Sequence, residues 1–534
     1  MRSKLLAVAI AAGLGVTSFY ASADPAPASQ SSKTSSTSTQ NAEIEALKAQ
    51  LQALQAKVVE LEQRTDAQSD INVSTGQAVE QVQKTQAATN DQIKKSADKI
   101  AYKGVNITLG GFVEAATIYR SANQAADMAS NFNTIPFNNV PTAHTNELRF
   151  SARQSRLSAL AQGDVDPQTH LAGYFELDFL GAAQTANSNE SNSYNPRIRN
   201  VYMTADWDNG GWHLLAGQNW SLVTLNSKGI TPRTELTPPQ IDAQYIPGFS
   251  WTRQPQIRLV KDWNKEWWLG ISLENPQTTF YTSPNQAKAP VQSVYNIAAG
   301  SGFNSANTLS LNHIPDVVVK LAVDPGFGHY ELFGLGRAFY NRYNGSNQDT
   351  YGGGVGIGMV LPLIDKQLDW QFSGMTGKGI GRYGSSQMPD VTFSPNGNLA
   401  PIKQNMLLTG LTWHANSDID VYLFGGREAQ FKKDFLYKGA ALGLGNPAYN
   451  NSGCEIEGGT CVGNSRQIWQ GTAGFWWKFY QGKFGKMQFG MQYSHTDREA
   501  FAGQGYVNNV LVNGAATPSA KENMFFTSFR YYPF

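Results

Sequence analysis

Residues 171–179 read Leu-Ala-Gly-Tyr-Phe-Glu-Leu-Asp-Phe. Apolar and polar side chains alternate along this stretch, with Glu176 and Asp178 on the face opposite Leu177 and Phe179. Because successive side chains of a β-strand point to opposite faces, this period of two predicts a strand with one apolar and one polar face. Such a strand suits a sheet that lies between lipid and water.

Short and long interruptions alternate between such stretches from Gly104 to Phe534. The short ones are 163–167, 208–211, 263–266, 324–328, 361–366, 415–418 and 481–486. The long ones are 120–147, 181–196, 225–251, 275–314, 341–350, 377–402, 429–466 and 497–522. Seven short turns and eight long loops join sixteen strands, and this asymmetry is typical of outer-membrane barrels. The sequence predicts an all-β transmembrane barrel of about 16 antiparallel strands over residues 104–534. A soluble barrel or sandwich is the alternative, because its strands alternate too.

The start of the chain has the composition of an export signal. Residues 1–23 combine basic Arg2 and Lys4 with an apolar stretch and end on Ala-Ser-Ala, which predicts a cleaved secretory signal peptide. Residues 24–42 are rich in Ser, Thr, Pro and Ala, which predicts a flexible tether.

The following segment, 43–103, changes to a heptad period. The apolar positions are Ile44, Leu47, Leu51, Leu54, Val58 and Leu61. Spacings of three and four predict an α-helical coiled-coil segment, followed by a linker, on the periplasmic side of the membrane. Such a seam is compatible with dimers and trimers, and a lone helix docked on the barrel is the alternative.

Overall composition excludes several classes of function. The chain has 42 Lys and Arg against 41 Asp and Glu, and this near-neutral balance says nothing about its partners. No nucleic-acid-binding pattern is visible in the sequence, so we expect no nucleic-acid partner. It contains no Walker, Gly-x-Ser-x-Gly or His-Glu-x-x-His motif, and its seven histidines are scattered. We therefore expect no enzyme activity, no cofactor and no metal site.

Charged side chains gather in the first half of the predicted barrel. An arginine on the lipid face near mid-membrane costs about 2–4 kcal/mol, so most of these guanidiniums are expected to face the lumen. The candidates for a basic constriction that binds solute are Arg149, Arg153, Arg156, Arg197, Arg199, Arg233, Arg253 and Arg258, together with Glu176 and Asp178. Fixed positive charges in a narrow passage attract anions. Ordinary solvated lumen charges without a preferred solute are the alternative.

Two of the predicted loops carry further features. Loop 225–251 contains four prolines, which limit its freedom and suit a segment folded inward to narrow a pore. Loop 429–466 contains both cysteines of the chain, Cys454 and Cys461. Because an exported protein meets oxidising conditions, we predict that they form a disulfide; two free thiols are the alternative.

Four short motifs resemble the DcaP-like outer-membrane porins. They are Arg153-Gln154-Ser155-Arg156, Pro196-Arg197-Ile198-Arg199, Gly217-Gln218-Asn219-Trp220-Ser221 and Arg253-Gln254-Pro255-Gln256-Ile257-Arg258. The order of signal, heptad helix and barrel resembles that family too. The resemblance implies a homotrimer of sixteen-stranded barrels, an N-terminal periplasmic coiled coil and a basic lumen that favours small anionic solutes such as dicarboxylates.

The expected function is passive diffusion of small, anionic, hydrophilic solutes across the bacterial outer membrane. The expected partners are outer-membrane lipid, further copies of the chain and the solutes. A phosphate- or pyrophosphate-selective porin and a general porin are alternatives. Less favoured are an adhesin or receptor that uses loops 275–314 and 429–466, and an outer-membrane hydrolase.

Overall fold

The computed structural model describes residues 45, 48–49, 51–54, 56–58, 100–181, 195–289, 293–299 and 308–534. The predicted signal peptide 1–23 and tether 24–42 lie outside the described residues. In the described part of the chain, no helix is long and apolar enough to cross a membrane.

Sixteen antiparallel strands form a closed barrel within these described residues. They are β1 (Val105–Arg120), β2 (Glu147–Ser151 and Arg156–Asp166), β3 (Thr169–Gly181), β4 (Asn195–Trp207), β5 (Trp212–Trp220), β6 (Arg253–Trp263), β7 (Trp267–Glu274), β8 (Asp316–Val323), β9 (His329–Tyr343), β10 (Ser346–Ile364), β11 (Leu368–Lys378), β12 (Lys403–His414), β13 (Ile419–Gln430), β14 (Ser465–Gly482), β15 (Gly485–Ala500) and β16 (Ser519–Tyr532). The barrel closes because β1 pairs with β16, from Val113 opposite Tyr531 to Arg120 opposite Met524. The predicted fold class and strand number are therefore confirmed.

Short strands and turns lie at the ends of the barrel. A three-residue strand, Ile100–Tyr102, pairs with β1, and a two-residue strand, Ser293–Val294, pairs with β9. Loop hairpins pair Asn296–Ala298 with Thr308–Ser310, Val391–Phe393 with Leu399–Pro401, Lys433–Tyr437 with Ala440–Leu444, and Gly503–Val507 with Val510–Ala516. Single 3-10 turns lie at Phe132–Thr134, Pro141–His144, Gln286–Lys288 and Gly381–Tyr383.

The predicted alternation of faces is present along the strands. On β6, Arg258 is buried at 2% exposure, whereas its neighbours Ile257 and Leu259 are 59% and 40% exposed. Exposed aromatic residues gather near the short turns: Trp207, Trp212, Trp263, Trp267, Trp413 and Trp477. An apolar outer band that ends in an aromatic girdle is the surface that a barrel presents to lipid.

The seven short turns lie at one end of the barrel, as the sequence predicts. Each connects its two strands through two to five residues: 167–168, 208–211, 264–266, 324–328, 365–367, 415–418 and 483–484. The prediction of a long loop at 341–350 is wrong. There, β9 and β10 stay paired to Tyr343 and Ser346, and two residues close the hairpin. Those residues are Asn344 and Gly345, with φ of 47° and 76°, and Asn-Gly is the pair that a tight hairpin turn favours.

The helical residues of the N-terminal region form a unit separate from the barrel. Three of the predicted heptad positions, Leu51, Leu54 and Val58, lie in helical conformation with exposed side chains. The other three, Ile44, Leu47 and Leu61, lie outside the described residues, so the predicted seam over 43–103 stays a prediction.

Candidate functional site

The connection between β5 and β6, residues 221–252, is folded inside the barrel; we call it the inner loop. Backbone N–H groups of the inner loop donate to side chains of distant strands: Asn226 to Glu331 on β9, Gly248 to Glu428 on β13 and Ile241 to Gln492 on β15, at 2.9, 2.8 and 2.6 Å. Its apolar residues Ile230, Ile241 and Ile246 are fully buried. The inner loop therefore crosses the lumen, as the proline-rich stretch 225–251 suggested.

Three ion pairs, formed by two arginines and two carboxylates, line the wall that faces this loop. Arg197 on β4 donates to both carboxylate oxygens of Asp178 on β3, at 3.0 and 2.7 Å. Arg199 donates to Glu176 at 2.6 Å and to Asp178 at 3.1 Å. The predicted candidates of β3 and β4 thus meet each other. Forked, charge-assisted contacts of this kind are strong, so both carboxylates are held by arginine and face solute only as part of a pair.

Two further arginines of the same cluster lie on aromatic rings instead. The Arg156 guanidinium lies 5.4 Å from the ring centre of Phe112, and that of Arg253 lies 4.6 Å from Trp220. Among the described residues, neither forms an ion pair within 4 Å. The cluster of four arginines thus contains only two carboxylates and has two positive charges in excess. Because water is scarce among buried groups, an uncompensated charge there is weakly screened.

Tyr245 of the inner loop responds to this excess charge. Burial raises the pKa of a phenol, yet the nearby charges of Arg156, Arg199 and Arg253 outweigh burial and lower the pKa of Tyr245 to about 8. The surroundings of this hydroxyl therefore favour a negative charge.

A cavity of about 350 Å³ lies where the end of the inner loop meets the loop after β11. Three guanidiniums contribute to its lining, those of Arg197, Arg253 and Arg382. Arg382 donates to Gln254 on β6, which fixes it beside the inner loop. Convergent guanidiniums in a small cavity suit a compact anion with two or more oxygen acceptors.

The remaining arginine candidates are more dispersed. Arg149 pairs with Glu147 at 2.9 Å and is 47% exposed. Arg153 lies in the break between the two segments of β2 and contacts Asp127 at 2.6 Å. Arg233, on the inner loop, donates to the Tyr202 hydroxyl at 3.2 Å. The structure therefore does not gather these three into the cluster.

Arg258 is the candidate whose position differs most from the sequence-based expectation. It does face inward, but the inner loop covers it. Its guanidinium donates to the Trp220 carbonyl at 2.6 Å and to Gln256 at 2.9 and 3.1 Å. With 2% of its surface exposed, it supports the loop and is not available to solute.

Three residues of the candidate site were not predicted from the sequence. Tyr245 and Arg382 lie in long loops, where no periodicity marks a residue as inward-facing. Trp220 belongs to a quoted motif, but nothing in its spacing predicts that it contacts Arg253. The path of the inner loop brings Tyr245 to the cluster, and the loop after β11 brings Arg382 to the cavity beside it.

A disulfide joins Cys454 to Cys461 in the structure. The stapled segment contacts a turn of the loop after β1: Asn138 donates to Glu455 at 2.7 Å, and the Gly458 N–H donates to the Asn139 carbonyl at 2.9 Å. The staple therefore fixes two long loops against each other.

Comparison with solved structures shows a likeness of fold at low sequence identity. DcaP, an outer-membrane channel of Acinetobacter baumannii, superposes with a TM-score of 0.56 and 17% sequence identity, over 81% of this chain and 98% of that one. The chain has the fold of DcaP. The predicted resemblance to DcaP-like porins is confirmed at the level of the fold.

Two more distant likenesses are an anion-selective porin from Comamonas acidovorans and OmpF of Salmonella typhi. Their TM-scores are 0.44 and 0.43, with 11% and 9% identity, over 80% and 81% of this chain and 99% of each of theirs. No protein-family model and no curated protein matches the chain.

Proposed function

We propose that this protein is a bacterial outer-membrane porin through which small anionic solutes diffuse passively. The observation that carries the proposal is the excess of two guanidiniums over carboxylates beside a loop that crosses the lumen. The apolar outer band and the aromatic girdle support a location in a membrane. A barrel with water inside and fixed charge at its narrowest part selects by size and charge without an energy source.

Dicarboxylates are the solutes that we propose. Arg197, Arg253 and Arg382 converge on one cavity, and a planar guanidinium fork matches a carboxylate oxygen pair. Because Asp178 already occupies the fork of Arg197, the two carboxylates of a short dicarboxylate engage the guanidiniums of Arg253 and Arg382. A phosphate or pyrophosphate ion offers the same oxygen acceptors, and competition between the two classes decides between them.

Ion selectivity in planar bilayers tests the proposal. We expect wild type to show anion preference in a KCl gradient, and Arg253→Gln and Arg156→Gln each to lower the anion-to-cation permeability ratio several-fold. The reason is that one unit charge at about 4 Å contributes about 1 kcal/mol even at the permittivity of water. Succinate and pyrophosphate are then added separately as blockers of the chloride current.

The matched control is Arg342→Gln, which removes the same charge from an exposed side chain near the tip of the β9–β10 hairpin, where Arg342 donates to Asn347. Its permeability ratio should equal that of wild type. Cation preference in the wild type, or equal ratios in all four proteins, would overturn the proposal. Stronger block by pyrophosphate than by succinate would move the solute class to phosphates.

We also propose that residues 1–23 are a signal peptide, that the heptad segment lies in the periplasm and that the protein is a homotrimer. The position of the short turns supports a periplasmic location for that end of the barrel, because outer-membrane barrels carry their long loops outside. The heptad segment precedes β1, which starts at that end. Exposed Leu51, Leu54 and Val58 leave an apolar helix face available to further copies of the chain.

A further inference from the structure

A groove of about 470 Å³ lies on the outer face of the barrel and crosses β9 to β13. Its walls are mostly apolar and include Leu332, Val355, Ile357, Phe372 and Leu407. At its floor, Gly374 leaves room: a Cβ added there would meet no atom closer than 3.4 Å. The groove therefore has the width and chemistry to hold an acyl chain.

A patch of uncompensated positive charge lies at the loop-side end of the same strands. Lys378 on β11 and Lys403 on β12 are directly opposite each other in the register. Both are exposed and share the outward face with Thr376 and Leu407. Like charges in directly opposite positions destabilise a sheet unless a counter-charge lies between them.

No protein carboxylate supplies that counter-charge in the described part of the chain. Lys403 contacts only the ring of Phe431, at 5.0 Å, and Lys378 forms no ion pair. Arg427, which contributes to the lining of the groove, donates only to the neutral amide of Gln467. Three cations thus remain without an anionic partner on the surface that faces the outer leaflet.

The spacing of these cations indicates which kind of lipid fits. Arg427 on β13 is opposite Leu407 on β12. Lys403 lies four residues from Leu407 along β12, which is about 13 Å at the rise of a β-strand. Two phosphates separated by a disaccharide reach both points, whereas the single phosphate of a diacyl phospholipid reaches one. The long loops place this end of the strands on the outside.

We infer that this groove and the cations Lys378, Lys403 and Arg427 form a binding site for a phosphorylated glycolipid of the outer leaflet. An acyl chain occupies the groove, and the two phosphates bind Arg427 and the lysine pair. The inference rests on the proposed location in the outer membrane but not on anion conduction.

Native mass spectrometry of the detergent-solubilised protein, titrated with Kdo2-lipid A, tests the inference. We expect Lys378→Gln/Lys403→Gln to weaken lipid A binding by at least about tenfold, because each surface cation contributes measurably to the binding of an anionic lipid. Gly374→Leu, which fills the groove without removing charge, should weaken binding as well. Phosphatidylglycerol, tested in parallel, should lose less affinity than lipid A in the double variant, because its single phosphate can bind Arg427.

The control is Lys265→Gln/Lys366→Gln, which removes two charges at the short turns and should bind lipid A like wild type. Single-channel conductance reports folding and conduction independently, and it should be unchanged in all variants. Equal lipid A binding by the double variant and its control would overturn the inference, and so would an equal loss of phosphatidylglycerol binding. Absence of anion preference would affect only the proposed function.

Discussion

At the scale of the residue, the net charge of the arginine cluster depends on which arginines are paired with a carboxylate. Asp178 and Glu176 hold Arg197 and Arg199, so these pairs contribute little net field. Arg253 lies instead against the indole of Trp220, a contact that stabilises a cation without cancelling its charge. The excess charge of the cluster is therefore a property of two residues, Arg156 and Arg253.

Tyr245 gives this cluster a pH dependence. It lies on the inner loop rather than on a membrane-spanning strand, and its pKa is lowered to about 8. Below that pH the phenol is neutral, and above it the phenolate cancels one excess positive charge. We therefore expect anion preference to fall as the pH rises from 7 to 9, and Tyr245→Phe to remove this change.

Reversal potentials at a series of pH values provide the measurement. Tyr449→Phe is the matched control, since Tyr449 lies in the loop after β13 and burial raises its pKa above the usual range. This control should retain the wild-type pH dependence. The same fall in a Tyr245→Phe channel would show that another group titrates.

At the scale of the element, the inner loop is held by backbone contacts that leave no room for side chains. Gly248 has a φ of +94°, and a Cβ added there would lie 2.1 Å from the Leu407 carbonyl oxygen of β12. Its N–H also donates to Glu428 of β13. Glycine at this position therefore allows the loop to lie against the opposite wall.

Gly248→Val should displace the inner loop from that wall. We expect single-channel conductance to rise and the free energy of unfolding to fall by about 1–3 kcal/mol, because a β-branched residue is strained at positive φ and also clashes. Gly425→Val on β13 is the control, since a Cβ there meets no atom within 4 Å. Unchanged conductance in Gly248→Val would contradict the role of the loop as the constriction.

At the scale of the whole molecule, we propose that self-association depends on a segment outside the barrel. Leu51 and Leu54 are helical and exposed, at 61% and 68%. An isolated helix with such a face is marginal in water, and we therefore propose that it is buried against further copies of the chain.

Leu51→Asp/Leu54→Asp should reduce the trimer fraction, because a charge at a core position of a coiled coil is buried without a partner. Size-exclusion chromatography with light scattering, corrected for detergent, measures the copy number. Gln52→Asp/Ala53→Asp adds the same charges beside the seam and should remain trimeric. A wild-type dimer would contradict the proposed stoichiometry, and a trimer in the core variant would place the interface on the barrel.

Several features follow from local sequence because they depend only on neighbouring residues. The alternation in residues 171–179 predicts a strand whose polar face carries Glu176 and Asp178. The distribution of turns predicts sixteen such strands, with the short turns at one end of the barrel. Asn344 and Gly345 also carry a local signal, because Asn-Gly favours a tight turn. The polar stretch around them suggested a long loop instead.

The charge balance of the constriction was decided by tertiary structure. Arg258 and Arg253 lie on the same strand, and the sequence predicts a solute-binding role for both. In the structure, the inner loop covers Arg258 and leaves Arg253 beside the cavity. The path of that loop depends on its hydrogen bonds to β9, β13 and β15, residues distant in sequence. Periodicity determines the face on which a side chain lies, whereas only the packed loop determines which inward-facing charges remain accessible to a solute.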